Sequence, residues 1–281
     1  MPRLLIVGCG DIGLRILARV HRRFRVFALT STPARVPLLR AAGAVPLAGD
    51  LDDRATLARL RALAPRLIHL APPPNHGRGD PRTRRLLAAL EPPQRAVYIS
   101  TTGVYGDRAS AWLDETAPLA PANERAWRRV AAEQAMRTVG AAVLRVPGIY
   151  AHDRLPLDRL RAGTPALAAD DDEFTNHIHA DDLARITLAA LMRGGRGRTY
   201  NAVDDSQLKM GDYFDAVADA FGLPRPPRLP RAQLKAAVSP MMYSFMAESR
   251  RLRNARIKRE LKVRLAWPTV AATLTDLRGR S

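Results

Sequence analysis

The sequence predicts an α/β fold in which a doubly wound parallel sheet carries a small C-terminal lobe. Three observations predict it. Short apolar runs alternate strictly with helical stretches as far as residue 146. The first of those runs ends in a glycine motif that opens a helix. After Pro147 the alternation loosens into loop-rich sequence and then helices.

Leu4, Leu5, Ile6 and Val7 form an apolar run ending at glycine, the pattern of a buried parallel strand. Residues 12–22 follow as a helix, because Ile12, Ile16, Leu17 and Val20 fall on one face. Residues 25–29 are a second strand, and Thr32 and Pro33 suit the N-cap and first turn of the next helix. Residues 45–47, 66–70, 96–100 and 142–146 continue the strand series. Helices are expected between them at 55–63, 83–90 and 123–139. Beyond residue 150, 181–192 and 211–221 read as helices and 198–203 as a strand. The Pro-rich segment 224–230 is a turn or linker, and the remainder reads as mostly helical up to Pro268.

Composition bounds the reading. A chain of 281 residues with 47% hydrophobic and 26% charged side chains is long and apolar enough to bury a real core. No uncharged apolar run approaches the length of a membrane span, the N-terminus does not resemble a signal peptide, and Cys9 is the sole cysteine, so no intramolecular disulfide forms. The expected setting is the cytoplasm. The net charge is +18, and only Lys209, Lys235, Lys258 and Lys262 among the 45 basic residues are lysines. The arginines are scattered, as a compositional bias would leave them, although such a charge also attracts anionic partners. The densest stretch, 250–264, lacks interleaved aromatic residues that could stack on bases, and no nucleic-acid motif accompanies it. Sequence-specific nucleic-acid binding and membrane association are therefore not expected.

The motif Gly8-Cys9-Gly10-Asp11-Ile12-Gly13 sits where a dinucleotide fingerprint must sit, between a first strand and a first helix. Gly8 permits the tight turn, Gly10 lets a pyrophosphate approach the backbone, and Gly13 lets helix and strand pack closely. The helix N-terminus favours the anion. This is a Rossmann-type arrangement, and the expected division is a nucleotide-binding domain over 1–150, joined again by 179–205. Residues 151–178 and 206–281 would form a small substrate lobe. An NAD-selective site places Asp or Glu about 20 residues beyond the glycines. No acidic residue lies between Asp11 and Asp50; the slot holds Thr30, followed by Ser31 and Arg35. A hydroxyl and a guanidinium suit a 2′-phosphate, so NADP is expected rather than NAD. Cys9 is a spacer.

Ser100-Thr101-Thr102-Gly103-Val104-Tyr105-Gly106-Asp107, the segment from Leu144 to Tyr150 (LRVPGIY), the segment from Asn176 to Asp182 (NHIHADD), Tyr200-Asn201 and Asp50-Leu51 occur in an order that resembles the NAD-dependent epimerase/dehydratase family. These are the extended and atypical short-chain dehydrogenases, and the overall look is nearest the YeeZ-like branch. The resemblance spans nearly the whole chain. It implies cofactor contacts from Gly8, Gly10, Asp11, Ile12, Gly13, Thr30, Ser31, Arg35, Asp50, Leu51, Ala71, Pro72, Ser100 and Pro147. It implies catalytic positions at Thr101, with Thr102 and Tyr105 beside it, and substrate contacts from Arg125, Arg154, Asn176 and His179. Strand-end hydrogen bonding is the alternative reading of the two threonines, whereas the residues themselves favour core packing for Tyr105 and a structural tie at the lobe junction for His179. His177 and His179 lack the partners of a metal site.

Two departures stand out. Val7 replaces a glycine usual in the family, and the family's Tyr-x-x-x-Lys pair is missing. If Arg129 and Glu133 align with the Lys and Glu of that helix, the tyrosine position is Arg125. No other register rescues the pair, because the first lysine in the chain is Lys209. The resemblance implies an NADP-dependent oxidoreductase or epimerase acting on a small polar or nucleotide-linked substrate, with a homodimer compatible. The missing pair equally suits a catalytically silent NADP-binding redox sensor or regulator.

Overall fold

The computed structural model describes residues 1–279. Seven strands form one sheet: β1 (Arg3–Val7), β2 (Arg25–Thr30), β3 (Val45–Ala48), β4 (Arg66–His69), β5 (Arg95–Thr101), β6 (Ala142–Val146) and β7 (Thr199–Asn201). Their spatial order is β3-β2-β1-β4-β5-β6-β7, and every pairing is parallel. The order reverses between β1 and β4, which opens a crevice at the carboxyl ends of those strands. Helices α1 (Asp11–Val20), α2 (Val36–Ala41), α3 (Pro81–Ala89), α4 (Glu124–Thr138) and α5 (Ala180–Arg193) cover the sheet.

Two apolar layers hold it. On one face Ile16, Leu17, Leu183 and Ile186 pack on Ile6, Ile68, Val97 and Leu144. On the other, Leu57, Leu60, Leu86 and Met136 pack on Leu5, Leu67, Tyr98 and Val143. Burial on both faces explains why these strands read as unbroken apolar runs. A third core, with Tyr150, Leu167, Phe214, Val217, Leu234 and Leu274, lies in the C-terminal lobe. Among the described residues no helix is long and apolar enough to cross a membrane.

Some local expectations need correction. Residues 55–63 do not form an α-helix; Arg54–Leu60 is a 3-10 helix capped by Asp53. The Thr56 hydroxyl donates to the Asp53 carbonyl oxygen over 2.7 Å, a local bond that competes with helical pairing. Thr32 contributes no side-chain cap, and Pro33–Arg35 is a 3-10 turn before α2. The strand expected at 198–203 shortens to β7. The region before Pro268 contains only short helices, Arg231–Ala237, Pro240–Met246 and Ala255–Glu260, with Arg251–Leu252 extended and paired to Trp112–Leu113.

Candidate functional site

The turn after β1 is built by its glycines. Gly8 has φ +80°, and a Cβ there would lie 2.5 Å from the Ala71 backbone nitrogen. A Cβ on Gly13 would press on the Cys9 sulfur at 2.8 Å. A Cβ on Gly10 would meet nothing within 4 Å, so this position faces open cleft. Turn, close packing and open approach are thus divided among the three glycines as a dinucleotide cradle requires. No side chain caps the N-terminus of α1, which leaves its N–H groups to face the cleft. Cys9 is buried, and burial pushes its thiol up to about 11, which suits a spacer.

One arm of the cleft runs over the ends of β1, β2 and β3. Gly8, Gly10, Thr30, Ser31, Arg35, Asp50, Leu51, Ala71 and Pro72 all line it. The Arg35 guanidinium crosses to donate to the Cys9 carbonyl oxygen over 2.9 Å. Arg82, which the sequence did not single out, also lines this arm and donates to the Asp52 carboxylate. Its only local signal is its place in the first turn of α3, behind the Asp80 cap.

The other arm passes between the glycine turn and the end of β5. Asp11, Ile12, Gly13, Ser100, Thr101, Arg129, Pro147 and Arg154 line it. Ser100 is buried and gives its hydroxyl to Glu133 at 2.6 Å. Glu133 also accepts Arg145 through Nε and Nη2, at 3.1 and 2.9 Å. Arg129 donates to the Tyr98 hydroxyl and to the Ile99 carbonyl oxygen, both at 3.1 Å. The Arg129 guanidinium is therefore held against the end of β5.

Beside this arm lies a cavity of about 290 Å³ between the sheet domain and the C-terminal lobe. Thr101 and Pro147 line both spaces and so mark their junction. Its hydroxyl accepts from Gly103 N over 3.2 Å. Thr102 is buried in the same wall. Arg125 lines the cavity with its guanidinium 4.1 Å from the Phe245 ring centroid. Glu248 and Arg250, unanticipated from sequence, line it too and pair at 2.8 Å. Phe174, Met210 and Phe245 form apolar walls. These groups come from chain-distant segments and carry no local motif.

Three expected positions are corrected by their surroundings. Tyr105 is fully buried, its hydroxyl donating to Asn201 Oδ1 at 2.8 Å and its ring under the Arg145 guanidinium; it lines neither space. His179 is likewise fully buried. Its Nδ1 accepts from Asp181 N at the start of α5, and its ring stacks on Trp267. Arg154 lines the arm beside the glycine turn and not the cavity, bonded to Asp11 at 2.8 Å. Asn176 lines the cavity as expected, and its amide is oriented by the strand at 250–252, donating to Arg250 O and accepting from Leu252 N at 3.0 Å each.

No family model and no curated protein matches the chain. Solved structures do. A conserved protein of unknown function from Silicibacter pomeroyi is 31% identical, with a TM-score of 0.83 over 100% of this chain and 99% of that one. A Methylobacillus flagellatus protein named as a candidate NAD-dependent epimerase/dehydratase is 25% identical, with a TM-score of 0.74 over 99% and 98% of the two chains. The human epimerase family protein solved with NADPH is 18% identical, with a TM-score of 0.79 over 99% and 100%, a likeness of fold.

Proposed function

We propose that this chain is a member of the NAD-dependent epimerase/dehydratase family, as its likeness to solved structures supports, and that it is an NADP-dependent oxidoreductase or epimerase that handles a small polar or nucleotide-linked carbonyl substrate without a Tyr-Lys pair. The observation that carries this reading is the position of Thr101, the residue that lines both the cleft beside the glycine turn and the adjoining cavity. A group at that junction is the one able to touch cofactor and substrate together.

The residues divide the work. Gly8, Gly10 and the N-terminus of α1 would hold the pyrophosphate, and Thr30, Ser31 and Arg35 the adenosine 2′-phosphate. When bound, the nicotinamide supplies hydride transfer. Arg129, oriented by Tyr98 and Ile99, presents a fixed positive charge on the nicotinamide side. The Thr101 hydroxyl can donate to a substrate carbonyl oxygen while accepting from Gly103 N. Arg125 and Arg129 do not exchange protons at neutral pH, so the proton would come from water or from the substrate itself.

A second reading has its own support. Among the described residues, no tyrosine, lysine or histidine lines the cavity or the nicotinamide arm. A catalytically silent NADP-binding sensor fits that lining. A screen of aldehydes, ketones and sugar nucleotides with NADPH separates the two. Turnover that Thr101→Ala abolishes supports the enzyme; firm NADPH binding with no turnover on any of them supports the sensor.

A further inference from the structure

We propose that Arg125 is the specificity-determining residue of the cavity and that it selects a substrate carrying a carboxylate or phosphate close to its reacting carbonyl. This rests on the functional reading above and narrows its substrate class. Four observations carry it. Arg125 lines the cavity one helical turn before Arg129, so the two guanidiniums project from the same face of α4, one over the cavity and one over the nicotinamide arm. The cavity and that arm meet at Thr101.

Next, Arg125 has no carboxylate within ion-pair distance among the described residues. Its neighbours are the face of Phe245 and a long 3.5 Å contact to the Ser244 hydroxyl. The one carboxylate in the lining, Glu248, is committed to Arg250 at 2.8 Å. Burial lowers the pKa of Arg125 from the usual guanidinium value; the Glu248 carboxylate opposes this from beyond ion-pair distance, and the neighbouring Arg128 and Arg129 add to the lowering. An anion entering the cavity would supply a counter-ion within that distance, and the planar fork of Arg accepts carboxylate or phosphate bidentately. Finally, about 290 Å³ lies at the small end of ligand cavities and suits a compact oxyanion.

The test uses the full chain saturated with NADP⁺ and calorimetric titration of two matched pairs of probes. One pair is 2-oxobutyrate against 2-butanone, the other dihydroxyacetone phosphate against dihydroxyacetone. The anionic member of at least one pair is expected to bind at least ~10-fold more tightly than its neutral partner, and the pair that responds identifies carboxylate or phosphate. Arg125→Gln should weaken that anion by roughly 10- to 100-fold, and Arg125→Lys should recover part of the loss, since it keeps the charge but not the fork. NADPH affinity should be the same in all three proteins, which also reports that the variants fold. Equal binding of anion and neutral partner in both pairs, or an anion preference that survives Arg125→Gln, overturns the proposal. If the unmodified protein does not bind NADPH, the parent reading fails instead, and the same titrations on cofactor-free protein still decide the role of Arg125.

Discussion

The Arg35 guanidinium donates to the Cys9 carbonyl oxygen over 2.9 Å, so one cation bridges the segment after β2 and the glycine turn after β1. It reaches across the arm of the cleft in which Thr30 and Ser31 offer hydroxyls and β2 ends without an acid. The guanidinium is tethered at one nitrogen, and its remaining donors can meet a phosphate.

Arg35→Ala should therefore erase most of a preference for NADPH over NADH. Loss of charge-assisted hydrogen bonds to a phosphate predicts about 10- to 100-fold weaker NADPH binding with NADH nearly unchanged. Fluorescence titration of both cofactors checks this. Equal affinities in the unmodified protein would remove the NADP assignment.

The glycines make a paired prediction. Gly8→Ala puts a Cβ against the Ala71 backbone at a residue with φ +80°, and should cost about 1–3 kcal/mol of stability for the backbone alone. Gly10→Ala meets no protein atom within 4 Å, so the melting temperature should stay put while dinucleotide affinity collapses. Thermal melts beside cofactor titrations distinguish the two; a Gly10→Ala protein that binds normally would disprove the cradle.

Where turnover exists, Thr101→Ala should lower kcat on the order of a hundredfold, the usual loss for one transition-state hydrogen bond. Thr101→Ser, which keeps the hydroxyl, should restore most of it. Neither Arg125 nor Arg129 is expected to match that effect on kcat, since neither can deliver a proton. Steady-state kinetics in which Thr101→Ala leaves kcat intact would place the chemistry elsewhere.

Acid should unfold the protein early. Burial holds His69 and His177 down to about 3 and His179 to about 4, so all three imidazoles are neutral in the fold. The unfolded chain protonates them near their ordinary value of about 6.5. Each contribution is complete above that value and is lost as pH falls towards the folded pKa, at on the order of 1 kcal/mol per histidine per pH unit. Asp204 acts with the opposite sign. Burial raises it to about 7, so its contribution is complete below about 4 and fades as pH rises through 7. Urea denaturation at pH 7, 6, 5 and 4 should show falling stability, and the slope should be shallower in His177→Asn. A stability that is flat or rising over that range would contradict the neutral imidazoles.

The cofactor half of the site was legible because its parts are local. A strand, a glycine turn and a helix occupy the first 20 residues, and the residues at the end of β2 follow directly. The substrate half was not, because Phe174, Met210, Phe245 and Glu248 meet only through the tertiary fold. The motif-implied site roles of Tyr105 and His179 fail, and the packing reading of both fits their full burial, because a motif gives position along a chain and says nothing of depth. Tyr105 points away from the cleft into the contact with Asn201, and His179 serves the helix behind it. The 54–60 segment misled because Asp53 and Thr56 bond locally to the backbone, which hydrophobic periodicity does not register.

Glu133 gathers Ser100 from β5 and Arg145 from β6 onto α4, out of solvent. That anchor sits one turn beyond Arg129 and two beyond Arg125, and it involves neither. The helix is thereby keyed to the strand that carries Thr101 by a bond independent of both arginines. Such a keystone lets the side chain at position 125 be exchanged without disturbing the frame that aims Thr101, so the cavity can be retooled while its framework stands.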